Sequence, residues 1–429
     1  MYEGSFKNFF LAKTSHRIPK IMTLAISSCV LVALVNIDAS ASAFGGRDSQ
    51  AVRTNAVLTL ASESGSNQFS GLVKRWTTTT AVVVPSTPPA TVSTATAPPA
   101  SSGVGGGGAA VTTTTTTAAT ATQPTVTSLA EGVYVGPADP SGVAAFAAET
   151  ETHPTIASEY LPKDGGWAAM DGSGGSLSWM FTNGWTGSPY TLSLGVPIIP
   201  TDAVGNPVGD LATGATGAYN GYFVTLAQTL IDSGESNAYL RLGWEFDESS
   251  NAWSATTPAE ELNFATYFQQ IVTAMRSVPG ENFKFVWNPD LYVFQSNSSY
   301  DVALAYPGNA YVDVIGLEAY DESWAVPQTP INAWNSLLPV LTAAQQFAAA
   351  RGKPLALPEW GVTICSNGHG LGDDPLYINN FTAWMKDPSN DVVYESLFDV
   401  VATDGSGVNA FMTGGDFPRS LTAFSADMA

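Results

Sequence analysis

Positive charge, histidine and cysteine are all scarce in this sequence of 429 residues. It has 16 lysines and arginines against 37 acidic residues, for a formal net charge of −21, and it has three histidines. Phosphate backbones and anionic lipid surfaces repel such a chain, so neither nucleic acid nor, for the mature domain, a membrane is an expected partner. So few histidines argue against histidine-rich zinc sites and against a Ser-His-Asp triad. We therefore expect no metal and no cofactor, and a neutral polymer is the more natural partner.

The two cysteines, Cys29 and Cys365, limit how the chain can be stabilised. If the N-terminal segment is removed on export, Cys365 is left alone and no disulfide can form within the chain. An exported protein of this kind must depend on its hydrophobic core, and 45% of apolar residues is enough for a large one. A large domain suits this composition better than a small disulfide-bonded one.

Residues 1–43 are typical of a secretory signal peptide. A basic start is followed by an apolar run over residues 21–35, and then by small residues spaced for cleavage, namely Ala39, Ala41 and Ala43. The apolar run is shorter than the roughly 20 residues that span a membrane. We expect a secreted or cell-surface protein, with an uncleaved anchor as the alternative.

Residues 77–130 predict a disordered linker rich in threonine, alanine, proline and glycine. Residues 112–117 are all threonine and residues 105–108 are all glycine. Such a segment has too few bulky apolar side chains to offset the entropy lost on ordering its backbone. Residues 44–76 show no clear periodicity and stay unassigned, with disorder expected. One folded domain is predicted over residues 131–429.

From residue 131 onward, short β-prone runs alternate with helical patterns, which is typical of parallel βα units in an α/β protein. Helix boundaries carry the expected residues, for example Thr257-Pro258 at the start of one helix. Eight candidate strands in about 300 residues predict one (β/α)8 TIM barrel. They are residues 132–136, 155–160, a segment within 190–199, 239–243, 283–287, 312–317, 355–358 and 392–398.

Two glutamates follow candidate strands of this barrel without an evident structural reason. Glu245 comes after the fourth strand in RLGWEFD, and Glu359 after the seventh in KPLALPEWG. Functional groups of such barrels lie at the carboxyl ends of the strands. Glycoside hydrolysis needs one carboxylic acid to protonate the leaving oxygen and, in retaining enzymes, a second carboxylate to attack the anomeric carbon. The alternative for each glutamate is an ordinary salt bridge or surface position.

Several tryptophans follow these strands and suggest sugar contacts, because the apolar faces of sugars stack on flat aromatic rings. Trp287-Asn288 at the end of the fifth strand combines an aromatic ring with a polar amide. The other candidates in predicted loops are Trp253, Trp324 and Trp360. Core packing is the alternative for each of them.

Other tryptophans divide between the core and the surface. Trp334 and Trp384 lie inside helical patterns and are assigned to the core. A glycine-rich stretch between the second and third strands could present a substrate platform built from Trp167, Trp179 and Trp185.

Two smaller groups invite functional readings that we do not favour. Asp373 and Asp374 could suggest a metal site, but before Pro375 they are more typical of a helix N-terminus. Cys365 and His369 share a loop and could form a nucleophilic pair, yet nothing orients a third member.

The segments around the two glutamates together resemble glycoside hydrolase family 26. The matching pieces are RLGWEFD at 241–247, VWNPD at 286–290, YPGNAYVDVIGLEAYD at 306–321 and KPLALPEWG at 353–361. The resemblance runs from about residue 131 to the C-terminus and is specific through the order and spacing of these motifs. It implies retaining hydrolysis of a β-linked glycan, usually a β-1,4-mannan.

The resemblance also implies roles for individual residues. Glu245 would be the acid/base, Glu359 the nucleophile, and Tyr320 a catalytic tyrosine that hydrogen-bonds the nucleophile. Glu318 lies near a position that is often acidic, and it is assigned to substrate binding with Arg241 and Trp244. Mannan-cleaving members usually carry histidine immediately before the acid/base, and Trp244 stands there instead. A β-glucan, a xylan or another cell-wall polysaccharide therefore remains open as the substrate.

We therefore expect an endo-acting, retaining β-glycanase that acts as a monomer on a polysaccharide. One alternative is a carbohydrate-binding surface protein that keeps the barrel without catalysis. Another is a cellulase-like β-glycosidase of the same clan. The low content of basic residues further predicts tolerance of moderately acid conditions, because protonation would relieve self-repulsion without breaking many ion pairs.

Overall fold

The computed structural model describes residues 129–296, 298, 300–403 and 406–429. The predicted signal peptide at 1–43, the segment 44–76 and the predicted linker up to residue 128 lie outside these residues, so those predictions stand as made. Within the described ranges, no helix combines the length and apolar character needed to cross a membrane.

Eight parallel strands close into a barrel in the order of the chain. The ring is completed by β1 and β8, with Val133 opposite Leu397. The predicted strands and their order are confirmed, which establishes the predicted (β/α)8 barrel. The strands are β1 (Gly132–Tyr134), β2 (Ile156–Tyr160), β3 (Thr191–Val196), β4 (Tyr239–Leu242), β5 (Lys284–Trp287), β6 (Val314–Tyr320), β7 (Leu355–Gly361) and β8 (Val392–Phe398).

Helices connect the strands, and their number varies between units. One unit departs from the pattern, since β5 is followed by the 3₁₀ helix Leu291–Phe294 and by no α-helix among the described residues. The α-helices are α1 (Pro140–Thr150), α2 (Trp167–Met170), α3 (Ser176–Met180), α4 (Leu211–Ala215), α5 (Asn220–Asp232), α6 (Pro258–Arg276), α7 (Pro330–Ala349), α8 (Pro375–Lys386) and α9 (Pro418–Met428).

Helices α6, α7 and α8 begin where the sequence predicts, because their caps are built from side chains. Thr257 accepts a hydrogen bond from the backbone N–H of Glu260, and the Glu260 carboxylate accepts one from the N–H of Thr257. Thr329 caps α7 by accepting from the N–H of Asn332, and Asp374 caps α8. Each cap stabilises its helix by about 1 kcal/mol.

Alternation along the strands separates two layers of core. Small and branched residues point into the barrel near its base, among them Ile156, Val286 and Val314. Residues on the other strand face, such as Leu194 and Leu240, pack against the surrounding helices. Neutral polar side chains enter the middle of the barrel, where Ser193 bonds to the Tyr394 hydroxyl and Ser158 donates to Ser396. The charged side chains of the site lie toward the carboxyl ends of the strands.

Candidate active site

A buried arginine organises the carboxyl ends of the strands. Arg241 points inward from β4, and its side chain is fully buried. Its Nε donates to Asn288 Oδ1 at 2.7 Å, and its Nη1 donates to the Tyr160 hydroxyl at 3.2 Å. Its Nη2 binds the carboxylates of both Glu318 and Glu359, the second at 3.2 Å. The planar guanidinium thus connects residues from β2, β6, β7 and the end of β5.

Glu359 enters this site because β7 carries a bulge. Gly316 on β6 is opposite Ala356, and Glu318 is opposite Glu359. A step of two residues along β6 therefore corresponds to a step of three along β7. The extra residue resets the alternation and turns Glu359 into the barrel and Trp360 out of it. Glu359 therefore lies within β7, whereas the sequence predicted that it follows the strand.

Both oxygens of the Glu359 carboxylate are hydrogen-bonded. Tyr320 donates to Oε1 at 2.6 Å, and Tyr160 donates to Oε2, which Arg241 also contacts. Burial raises the pKa of Tyr320 and, against the opposing charge of Arg241, that of Tyr160, so both phenols keep their protons. The side chain of Glu359 is 12% exposed. These contacts fix the orientation of the carboxylate.

Glu245 lies just beyond β4, in a strained turn. Its φ of +49° is in the left-handed region, which residues other than glycine adopt at a cost. The backbone holds it there, since its N–H donates to the Asn288 carbonyl at 2.9 Å and its own carbonyl accepts from the N–H of Glu248 at 2.9 Å. The turn aims its side chain at the carboxyl of Glu318, with which it is in hydrogen-bond contact.

The two proposed catalytic carboxyls differ in electrostatic environment. The pKa of Glu245 is raised to about 7, because burial and the charge of Glu359 raise it more than the contact with Glu318 and the charge of Arg241 lower it. Glu359 instead accepts hydrogen bonds from two phenols and the guanidinium. Glu245 is thereby suited to act as the acid, and Glu359, fixed by three donors, to act as the nucleophile, which is the division of labour that acid-assisted nucleophilic displacement requires.

Three tryptophans predicted to touch the substrate are core residues, and those assignments are wrong. The side chains of Trp253, Trp287 and Trp360 are at most 1% exposed. Each indole N–H is already used: Trp253 donates to the carbonyl of Trp244, Trp287 to that of Ala305, and Trp360 to the Glu395 carboxylate. Strand alternation is the physical reason for Trp287, which faces the helices while Asn288 faces the barrel.

The remaining predicted binding residues fall into two groups. Arg241, Asn288 and Glu318 are at most 1% exposed, so they support the carboxyls from below and present no surface to a glycan. Their assignment to substrate binding is corrected to a positioning role. Trp244 and Trp324 are 8% and 57% exposed and remain the candidates for sugar contacts.

Trp324 lies in the loop after β6 with one ring face covered. It stacks on the imidazole of His369, with ring centroids 4.6 Å apart. His369 Nδ1 lies 3.1 Å from the Ser323 carbonyl, and the N–H of Ser323 donates to the His369 carbonyl. The loops after β6 and β7 are thus joined beneath an exposed indole.

The platform predicted between β2 and β3 is only partly supported. Trp185 is 1% exposed and donates to Glu159, so it belongs to the core. Trp179 is 54% exposed. Trp167 is half-buried and stacks on Tyr222 with centroids 4.5 Å apart. Trp334 and Trp384 are partly buried and pack on the core, in line with their assignment.

Asp373 with Asp374, and Cys365 with His369, make the ordinary structural contacts that we expected in preference to a functional site. Asp374 caps α8, and Asp373 forms an ion pair with Arg419. The thiol of Cys365 donates to Glu322, while His369 is directed to Ser323. Among the described residues, no group of acidic, histidine or cysteine side chains is arranged to hold a metal ion.

Tyr160 is the functional residue that sequence reasoning missed. It ends β2, its ring packs edge-on against Tyr134 and Trp244, and its hydroxyl reaches Glu359. A close approach makes room for it, because a Cβ on Gly195 would lie 2.6 Å from the Tyr160 ring. An inward-facing tyrosine at the carboxyl end of a strand was the available indication.

A second pair of carboxyls near Glu245 was also missed. The backbone N–H of Asp290 donates to Asp247 at 3.0 Å. Burial raises the pKa of Asp247 to about 7, and burial together with the charge of Asp247 raises that of Asp290.

A barrel with an acid and a carboxylate at the ends of its fourth and seventh strands defines a class, the glycoside hydrolases. The comparisons agree with that class and make the resemblance more specific. The family model described as glycosyl hydrolase family 26 matches residues 238–353. This segment contains β4 to β6 and α7, with Arg241, Glu245 and Glu318, so the barrel is glycoside hydrolase family 26-like, as the sequence motifs predicted.

Individual relatives are distant. A mannan endo-1,4-beta-mannosidase from Bifidobacterium adolescentis is 30% identical over 111 residues, which is 25% of this chain and 11% of that enzyme. The structure of GH26C from a Muricauda species superposes with a TM-score of 0.50 at 14% identity, covering 71% of this chain and 86% of that one. An endo-beta-1,4-mannanase double mutant from Cellulomonas fimi gives 0.51 at 17%, covering 70% of each chain. The two structures bear on the fold alone.

Proposed function

We propose that this chain is a secreted, retaining endo-β-glycanase that cleaves a β-linked polysaccharide by double displacement. The observation that carries the proposal is the contrast between its two carboxyls. Glu245 is desolvated and has a raised pKa. Glu359 instead accepts hydrogen bonds from Tyr160 and Tyr320 and forms an ion pair with Arg241.

The first displacement forms a glycosyl-enzyme. The Glu359 carboxylate attacks the anomeric carbon while the bond to the glycosidic oxygen breaks, and Glu245 transfers its proton to that oxygen. One bond forms at Glu359 and one breaks, and the leaving sugar departs as a neutral alcohol. Tyr320 and Arg241 hold the carboxylate in place, and the carboxylate loses its negative charge as the covalent bond forms.

The second displacement reverses these roles. Glu245, now a carboxylate, takes a proton from water, which attacks the anomeric carbon and releases Glu359. The product keeps the anomeric configuration of the substrate and Glu245 regains its proton.

The substrate we propose is a neutral β-linked glycan, either a β-1,4-mannan or a β-glucan. A net charge of −21 disfavours polyanions, and the relative from Bifidobacterium adolescentis is named for a mannan. Trp244 forms an apolar wall against Tyr160, with ring centroids 5.3 Å apart, where the resemblance leads us to expect an imidazole. Export rests on the N-terminal segment, and the proposed working form is a monomer.

Chemical rescue is the sharpest test of the proposed nucleophile. Glu359→Gly should abolish turnover of a β-glycan with an activated leaving group, and azide should restore it with the inverted glycosyl azide as product. Full activity without azide would contradict the role of Glu359.

Glu245 is tested by a different signature. Glu245→Gln should lower turnover of unactivated polysaccharide by several orders of magnitude, while a substrate whose leaving group needs no protonation should still glycosylate the enzyme. Near-normal polysaccharide turnover would reject Glu245. Reducing-sugar release from β-mannan, lichenan, curdlan, xylan and carboxymethylcellulose then identifies the substrate, and release from none of them would reject the proposed activity.

A further inference from the structure

Glu318 has a contact pattern that an ordinary salt-bridge partner lacks. Its side chain is 1% exposed, and Arg241 binds its Oε1 atom. The second oxygen, Oε2, is also buried, and no N–H or O–H donor of the described residues is assigned to it. A buried carboxylate oxygen left in this state would be costly, because its lost hydration is not replaced by a hydrogen bond.

The carboxyl of Glu318 is in hydrogen-bond contact with the carboxyl of Glu245. Two carboxylates cannot hydrogen-bond to each other, because neither has a donor. A contact between them requires that one carries a proton, as in the shared-proton carboxyl pairs of other hydrolases.

The charge around Arg241 leads to the same conclusion. One guanidinium faces three carboxyls, the buried Glu318 and the partly buried Glu245 and Glu359, and three ionised groups would leave two uncompensated negative charges. Other groups facing Glu318 add no positive charge: Asp290 is bridged to it from the end of β5, and the Tyr160 and Tyr394 hydroxyls lie across the barrel. Burial and the charges of Glu245 and Glu359 raise the pKa of Glu318 against the effect of Arg241.

We propose that Glu318 is a positioning residue which shares a single proton with Glu245, so that the pair, and not Glu245 alone, determines when the acid/base is protonated. This rests on the proposed function insofar as Glu245 is the acid. The proton lies on the contact between the two carboxyls, and Arg241 keeps Glu318 in register by holding its other oxygen.

Glu318→Gln tests the pair because Arg241 dictates how the amide must lie. The guanidinium needs an acceptor, so the amide oxygen takes the place of Oε1 and the NH₂ group faces Glu245. Loss of the shared proton leaves two carboxylates side by side in the wild type, whereas in Glu318→Gln it leaves one carboxylate that faces an N–H donor. Both differences lower the pKa of Glu245, and the acid should then be lost at a lower pH.

The measurement is kcat/KM against pH on the best glycan substrate, using the full chain. Glu318→Gln should move the alkaline limb of the profile to lower pH by about one unit or more. Relative to the wild type, kcat/KM of the variant should therefore fall at least about tenfold more at neutral pH than at pH 5. Glu318→Asp keeps an ionisable carboxyl and should bring the limb back toward the wild-type position. Glu395→Gln removes another buried glutamate, one that contacts Trp360 and Gly132, and should leave the limb in place.

A uniform loss across all pH values in Glu318→Gln, with the limb unmoved, would show that Glu318 only supports Arg241 and would overturn the proposal. A second readout does not depend on activity. In protein labelled with ¹³C at glutamate carboxyls, the Glu245 resonance, identified by its loss in Glu245→Gln, should titrate in two coupled steps in the wild type and in one lower step in Glu318→Gln. A single unshifted step in both would also overturn it. A chain that cleaves no glycan yet titrates as a pair would contradict the proposed function and leave the shared proton standing.

Discussion

Nη2 of Arg241 lies 3.2 Å from Oε2 of Glu359, although the two residues are 118 positions apart in the chain. The pairing joins β4 to β7 across the barrel and gives the proposed nucleophile a fixed positive charge. The proposed acid, Glu245, follows Arg241 by four residues and has no such partner among the described residues. The buried cation therefore pairs directly with the proposed nucleophile and acts on the proposed acid only through its longer-range charge.

Arg241→Met should be strongly destabilising. It leaves Glu318 and Glu359 without their cation in a desolvated site, and breaking a buried pair in this manner costs about 3 kcal/mol or more. Urea unfolding of the full chain measures the difference. The matched control is Arg276→Met, which breaks a pair with Asp313 that is about one-third exposed and should change stability by less than about 1 kcal/mol. Equal losses in both variants would mean that the Arg241 cluster adds nothing special to stability.

The fold could be predicted from the sequence because it depends on local patterns. Alternating strand and helix segments, and caps such as Thr257 and Asp374, carry their information within a few residues. The eight strands and the starts of α6, α7 and α8 follow from them. The family-like motifs around Glu245 and Glu359 then identified the two carboxyls, and the hydrogen bond from Tyr320 to Glu359 was anticipated correctly.

What could not be predicted depends on register between distant segments. Simple alternation from Ala356 would direct Glu359 outward and Trp360 inward, and the bulge opposite β6 reverses both. Tyr160 reaches Glu359 over 199 positions and only because Gly195 leaves space for its ring. The error at Trp287 was avoidable, since Val286 and Asn288 face the barrel and the residue between them must face the helices.

Stability should fall as pH rises from about 5 to 9. Burial raises the pKa of Glu245, Asp247 and Glu235 to about 7 and that of Glu395 and Asp321 to about 8. A carboxyl with a raised pKa in the folded state contributes its stability fully below its unfolded pKa and loses it as pH rises through the folded value. The same direction follows from the acid tolerance expected of this composition, which stays a prediction.

Calorimetry of the full chain checks this pH dependence. The melting temperature should drop by at least about 5 °C between pH 5 and pH 9, given about 2 °C per kcal/mol for a domain of this size. Glu395→Gln removes one contributor and should flatten the slope. A melting temperature that rises over this range would contradict the assignment of raised pKa values.

The two tyrosines that contact Glu359 should each matter for activity. Tyr320→Phe and Tyr160→Phe each remove a donor to a charged carboxylate, an interaction of about 1.5–3 kcal/mol, so kcat/KM should fall roughly 10- to 150-fold. Tyr300→Phe is the control, because no hydrogen-bond partner is assigned to its buried hydroxyl and the change should leave activity unaltered. Wild-type kinetics in Tyr160→Phe would exclude it from the positioning of the nucleophile.

Trp324 should contribute to glycan binding and not to chemistry. It is 57% exposed beside His369 on the loop after β6. Trp324→Ala removes one sugar–aromatic stack of about 1 kcal/mol, so KM for a long glycan should rise about fivefold. The turnover number should change little. Trp179→Ala removes a tryptophan of similar exposure, 54%, from α3 and provides the comparison. Equal effects of the two variants on KM would argue against a specific subsite at Trp324.

The backbone at Glu245 predicts a conflict between stability and function. Its φ of +49° suits glycine, and a side chain there costs about 1 kcal/mol. Glu245→Gly and Glu245→Ala both remove the carboxyl, but only glycine relieves the strain, so the glycine variant should be the more stable by about 1 kcal/mol in urea unfolding. At Glu248, which is not among the residues of positive φ, the order should reverse, since glycine there only adds entropy to the unfolded chain. If alanine were the better residue at both positions, the turn would be unstrained, and the placement of this carboxyl by its backbone would need another cause.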